Sequence, residues 1–116
     1  NAHAARLANL ADLKPLVAFD DEGGAHTDGA RIGFARALRA VAERVVRYTA
    51  GSPARLAISH ANGPDDAAYL AERLRLLLGD LDIPIVEAGA VITTHVGLGT
   101  VAVATQRLTG TRETKR

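Results

Sequence analysis

The chain has 116 residues, 47% of them hydrophobic, which suffices for one domain with its own core but includes no apolar run near the ~20 residues a bilayer span needs. A net charge of +1, with Lys and Arg spread along the chain, excludes the basic footprint of a nucleic-acid binder, and 3% aromatics are too few for a base-stacking platform. With Cys at 0, disulfides, thiolate catalysis and cysteine metal ligands are excluded, and the cytoplasm is the expected location.

In chain order, residues 1–10 are read as a lead-in, with Asn1-Ala2 as a cloning remnant on an excised domain, since Met is 0 and no secretory h-region follows. Residues 11–108 are expected to form the domain. Leu16-Val17-Ala18-Phe19, after Lys14-Pro15, has the composition of a strand, and Asp20-Asp21-Glu22-Gly23-Gly24 that of a turn. A hairpin or tight return through His26-Thr27-Asp28 to Arg31 follows. From Ile32 to Tyr48 the positions Phe34, Leu38, Val41 or Ala42, and Val45 recur at helical spacing, and Gly51-Ser52-Pro53 ends that helix.

Leu56-Ala57-Ile58 reads as a buried strand ending in Ser59-His60, and Ala61-Asn62-Gly63-Pro64 leads into a second helix near Asp65. Asp65 and Asp66 suit its first turn, Leu70, Leu74, Leu77 and Leu78 its stripe, and Gly79 its C-terminal cap. Pro84 to Ala88 makes another strand. The apolar segments Val91–Thr94 and Val101–Ala104 then flank a glycine-containing loop and are expected to close the sheet as an antiparallel pair. The alternation implies an α/β fold, a layered domain with a mostly parallel or mixed central sheet flanked by helices, running as one layer from Leu16 to Ala104. The polar tail, residues 109–116, is expected to be disordered.

Chemistry concentrates in Thr93-Thr94-His95-Val96-Gly97-Leu98-Gly99-Thr100, two hydroxyls, an imidazole and two glycines between apolar segments. Glycine permits close backbone approach and φ > 0, while Thr and His offer donors to a carboxylate or phosphate oxygen. From the residues alone this is either a binding loop or a glycine-rich connection whose His95 caps a strand end. His60, at a strand end, is read as a partly buried histidine bonded to loop backbone. Two carboxylates beside Gly63-Pro64 argue for a helix start and against an anion site, and Asp20-Asp21-Glu22 is read as a solvated turn and not a metal cluster. Ser-His-Asp order, a Walker loop, HExxH and the dinucleotide fingerprint are missing, so no catalytic residue, metal or cofactor is assigned, and His3 and His26, the latter in a turn, receive no role.

Three segments in matching order resemble the DegV family. Ala11-Asp12-Leu13-Lys14-Pro15-Leu16-Val17 is similar to its apolar-Lys-Pro-Ile-Leu segment, and Leu56-Ala57-Ile58-Ser59-His60-Ala61 to its strand ending in His-Ala. Ala90-Val91-Ile92-Thr93-Thr94-His95-Val96-Gly97-Leu98-Gly99 resembles its Pro-Val-Ile-Gly-Thr-His-Thr-Gly-Pro-Gly, with Ala90, Thr93 and Leu98 as departures. The resemblance implies the second domain of a two-domain carrier that binds a long-chain fatty acid and presents it to a separate fatty acid kinase, which makes an acyl phosphate for phospholipid synthesis. It further implies that His95 and Thr94 lie near the lipid carboxylate, that Gly97 and Gly99 shape the loop, and that the missing N-terminal domain completes the site. Two rival expectations are a small hydrolase or transferase using His95 as base, and a ligand-free regulatory or oligomerisation domain.

Overall fold

The computed structural model describes residues 12–20, 22–90 and 97–108, in two compact units divided between Val41 and Ala42. In the first unit, β1 (Leu13–Phe19) and β2 (Ala25–Ile32) pair as an antiparallel hairpin. Pro15 has no N–H to give the ladder, and the register shifts between it and Val17. The Asp20 carboxylate closes the turn, accepting the Glu22 N–H at 3.0 Å and the Gly24 N–H at 2.8 Å. That use of the side chain accounts for its acidic residue without a metal.

Helix α1 spans Phe34–Thr49. It starts two residues later than the periodicity predicts, because Ile32 pairs with Leu13 in the hairpin and Gly33, at φ 86°, turns the chain out of the strand. In its first half Ala37 and Ala40 pack on Leu16 of β1, with Val41 beside them. Ala40 and Val41 follow Ala37 by three and four residues, so they lie on one side of α1, and Leu16 is the buried residue of a strand whose Leu13, Val17 and Phe19 are exposed.

The second unit begins in the latter half of α1, where Ala42, Val45 and Thr49 are buried at helical spacing. The Thr49 hydroxyl donates to the Val46 carbonyl at 3.0 Å, which satisfies a buried polar group within the helix. Past it, β3 (Ala54–His60), α2 (Pro64–Leu78), β4 (Ile85–Glu87) and β5 (Val101–Arg107) follow. The sheet order is β4-β3-β5, with β4 parallel and β5 antiparallel to β3. Leu56, Ile58 and His60 alternate into the interior along β3, and Ala67, Leu70, Ala71 and Leu74 form the buried stripe of α2. Pro64 opens α2, Asp65 and Asp66 occupy its first turn, and the Gly79 N–H donates to the Arg75 carbonyl at its end, with Gly79 at φ 103°. At the far end, the Arg107 guanidinium lies 4.5 Å from the centre of the Tyr48 ring.

The α/β class and the mixed sheet agree with the sequence reading, and three features differ from it. The first strand forms the expected hairpin with β2 and, among the described residues, pairs with no strand of the three-stranded sheet, because a short turn makes β2 its nearest partner. His26 lies in β2 and not in a turn, paired with Ala18. The closing strand is antiparallel as expected, but its partner is β3, with Ala57 opposite Ala104. The other expected partner, residues 91–94, lies outside the described residues, as do the lead-in and the tail.

The buried stripe gives a stability test in the second unit. Leu74 is fully buried and Leu76, two residues on, is 79% exposed. Leu74→Ala is expected to lower the unfolding free energy by about 2–5 kcal/mol and Leu76→Ala to change it by no more than about 0.5 kcal/mol, measured by urea denaturation.

Candidate functional site

The carboxyl end of β3 is where the second unit gathers its connections. The His60 carbonyl accepts the Ala88 N–H at 2.7 Å, so the chain leaving β4 is fastened there. One residue on, Ala61 bonds the segment before β5 in both directions. Its N–H donates to the Thr100 carbonyl at 2.9 Å and its carbonyl accepts the Gly99 N–H at 2.6 Å. Within that segment the Thr100 N–H donates to the Gly97 carbonyl at 3.4 Å, closing a turn over Leu98 and Gly99.

Gly97 and Gly99 have φ 91° and 89°, a region that L side chains rarely adopt. A methyl group added at either would meet nothing within 4 Å. Both glycines are therefore required by the backbone path and not by crowding, and the space around them is open. Leu98 between them is 75% exposed. These two are the sequence-predicted loop residues that the structure describes; Thr94 and His95 lie outside the described residues.

Beside this turn the chain bends into α2. Asn62 adopts φ 60°, which its short polar side chain tolerates, and the Gly63 N–H donates to His60 Nδ1 at 3.0 Å. His60 is buried, so the imidazole exchanges solvent for a backbone partner, as expected from its place at a strand end. A methyl group placed on Gly63 would sit 3.7 Å from the Gly99 carbonyl oxygen and 3.8 Å from Val101 Cγ2, so the turn reaches the start of α2. The same point is 3.9 Å from an Asp66 carboxylate oxygen. An anion seated on this helix start would face Asp65 and Asp66 in the first turn, which opposes the helix dipole's attraction for it.

A depression of about 580 Å³ lies toward the other end of the same sheet, lined by Arg55, Leu56, Ala57, Asp82, Thr105 and Gln106 among others. It draws on the first half of β3 and the second half of β5, away from the Gly97–Thr100 turn. Among the described residues no group of three or more His, Asp or Glu is placed to hold a metal ion, and no helix is long and apolar enough to cross a membrane. The pair of hydrogen bonds between Ala61 and the turn was not foreseeable from residue types, because it uses only main-chain atoms. The only signal for it is the strand-end position of His60-Ala61 together with a glycine-rich segment in front of the next strand.

Residues 1–107 match the family model described as "Uncharacterised protein, DegV family". A DegV domain-containing protein of Streptococcus pneumoniae is 30% identical over 99 residues, covering 85% of this chain and 35% of the relative. Among solved structures, a fatty acid binding DegV family protein of Streptococcus agalactiae superposes with a TM-score of 0.75 at 33% identity, over 94% of this chain and 38% of its own. A Thermotoga maritima protein whose structure is described as revealing a fatty acid binding function gives a TM-score of 0.75 at 28% identity, over 84% of this chain and 35% of its own. The chain thus spans little more than a third of the length of these relatives. With a family match across nearly all of its residues and the same fold as two members, this chain belongs to the DegV family.

Proposed function

We propose that this chain is one wall of a fatty-acid-binding carrier protein. The observation that carries the reading is its membership of a family in which two proteins with the same fold, at 33% and 28% identity, are described as fatty acid binding. The open turn at Gly97–Thr100, held at the carboxyl end of a central strand, supports a ligand site there, since open α/β sheets collect ligands at that edge. Thr94 and His95 precede this turn in sequence and are the residues we assign to the lipid carboxylate, as hydrogen-bond donors and not as catalytic groups. Gly97 and Gly99 give the turn that follows them its left-handed backbone path.

On this reading the chain, residues 11–108 above all, is a carrier and not an enzyme, acts in the cytoplasm, and hands its fatty acid to a separate kinase that forms the acyl phosphate for phospholipid synthesis. A second domain supplies the remaining wall and the rest of the carboxylate site. The length of the relatives, nearly three times the span matched here, supports that division. So does the apolar surface on one sheet face, where Val86 is 55% exposed and Ala57, Ala102 and Ala104 are exposed on neighbouring strands.

Organic extraction of the full-length protein followed by mass spectrometry tests the reading, and a long-chain fatty acid in stoichiometric amount is the expected result. Titration calorimetry with a soluble long-chain fatty acid should give tight binding to the full-length protein and weak or undetectable binding to the 116-residue chain. Half a pocket buries too little apolar surface, at ~25 cal/mol per Å², to offset the cost of association. Submicromolar affinity of the chain alone would refute the two-domain site.

His95→Ala in the full-length protein is expected to weaken fatty-acid affinity about 10- to 100-fold, the worth of one charge-assisted hydrogen bond of about 1.5–3 kcal/mol, with the melting temperature retained. Unchanged affinity with a lowered melting temperature would assign His95 to bracing the loop and remove it from the site.

A further inference from the structure

We infer that His60 is a positioning residue for the carboxylate loop: by accepting the Gly63 N–H at Nδ1 it sets the Ala61–Gly63 bend to which the Gly97–Thr100 turn is bonded. The inference deepens the proposed function and rests on it for what the loop binds. The family likeness includes the strand ending in His60-Ala61 but gives His60 no role; the geometry around it supplies one.

Three observations converge on this side chain. It is 8% exposed and follows Leu56 and Ile58 on the inward side of β3, where an aliphatic residue would fill the space without having to satisfy a polar group. Its Nδ1 lies 3.0 Å from the Gly63 nitrogen, and a backbone N–H can only donate. Nδ1 is therefore an unprotonated acceptor and the ring proton sits on Nε2, a tautomer assigned by this bond. Finally, the span from residue 60 to 63 carries the two main-chain bonds of Ala61 to Thr100 and Gly99, and a methyl group placed on Gly63 would sit 3.7 Å from the Gly99 carbonyl oxygen.

The bend itself needs an external hold. Asn62 stands at φ 60°, a sparsely populated region for a residue other than glycine, and Gly63 at φ −131° and ψ 57° has no capping side chain of its own within α2. The imidazole supplies that hold from the strand side. Were it lost, Ala61 would be free to rotate its N–H and carbonyl out of line with Thr100 and Gly99, and the turn would lose its reference to the sheet. A methyl group built on Gly97 or Gly99 would meet nothing within 4 Å, so close packing around their Cα atoms does not hold the turn.

The test replaces His60 by Asn, Gln and Leu in the full-length protein. Asn places its amide oxygen close to where Nδ1 sits, whereas Gln places its oxygen near Nε2 and Leu offers no acceptor. Hydrogen–deuterium exchange read by mass spectrometry should show the Gly99–Val101 peptide exchanging about tenfold faster in His60→Gln and His60→Leu, the size expected for one lost buried hydrogen bond. The second half of α2 should exchange as in the parent, and His60→Asn should restore the protection. Oleate affinity per folded molecule should fall in the same order. If Leu does not fold, the Asn and Gln pair decides. Equal exchange of the Gly99 peptide in Asn and Gln, or a loosening spread evenly through α2, would overturn the inference, as would parent-like oleate affinity in Gln. A parent protein that takes up no oleate removes the proposed function, while the exchange pattern still decides whether His60 holds the loop.

Discussion

Both backbone polar groups of Ala61 are bonded to the turn that precedes β5, and the arrangement at this end of the second unit follows from that pairing. Two main-chain bonds of opposite sense fix both the distance and the rotation of one segment against another, in a way one bond does not. They extend the β3–β5 ladder past its last strand pair, His60 with Val101, and so carry the order of the sheet into a connection that would otherwise be ruled only by its glycines. Because β3 is the central strand, with β4 on one side and β5 on the other, the loop is referenced to the part of the sheet with the most partners.

This pairing also restricts what the loop has left for a ligand. The N–H groups of Gly99 and Thr100 are committed to Ala61 and Gly97, so neither is available to a carboxylate. The start of α2, elsewhere a natural anion site, carries Asp65 and Asp66. With these main-chain groups committed, the proposed carboxylate site draws on side-chain donors of the kind that Thr and His supply.

The hairpin of the first unit is built on other terms. Its β1 buries Leu16 against α1 and leaves Leu13, Val17 and Phe19 exposed, so it is a one-sided sheet of two strands stabilised by a helix. Reading β1 as a member of the central sheet treats every apolar run as equivalent. What separates them is connection length: a return closed by the Asp20 carboxylate brings β2 back at once, whereas β3 is reached through a helix.

Periodicity and punctuation in the sequence determined the two helices, their ends at Gly51 and Gly79, the strand at Leu56–His60, the turn at Asp20 and the bonded state of His60. These depend on local physics, on side-chain spacing, backbone freedom at glycine, and the need of a buried polar atom for a partner. The glycine-rich loop and its place before β5 were legible for the same reason. Strand partnership was not, since β5 pairs with β3 across more than forty residues and no property of either strand alone names the other. The clasp of Ala61 on Gly99 and Thr100 was likewise decided only in the tertiary structure, because main-chain donors and acceptors are the same at every residue and only the fold brings particular ones together.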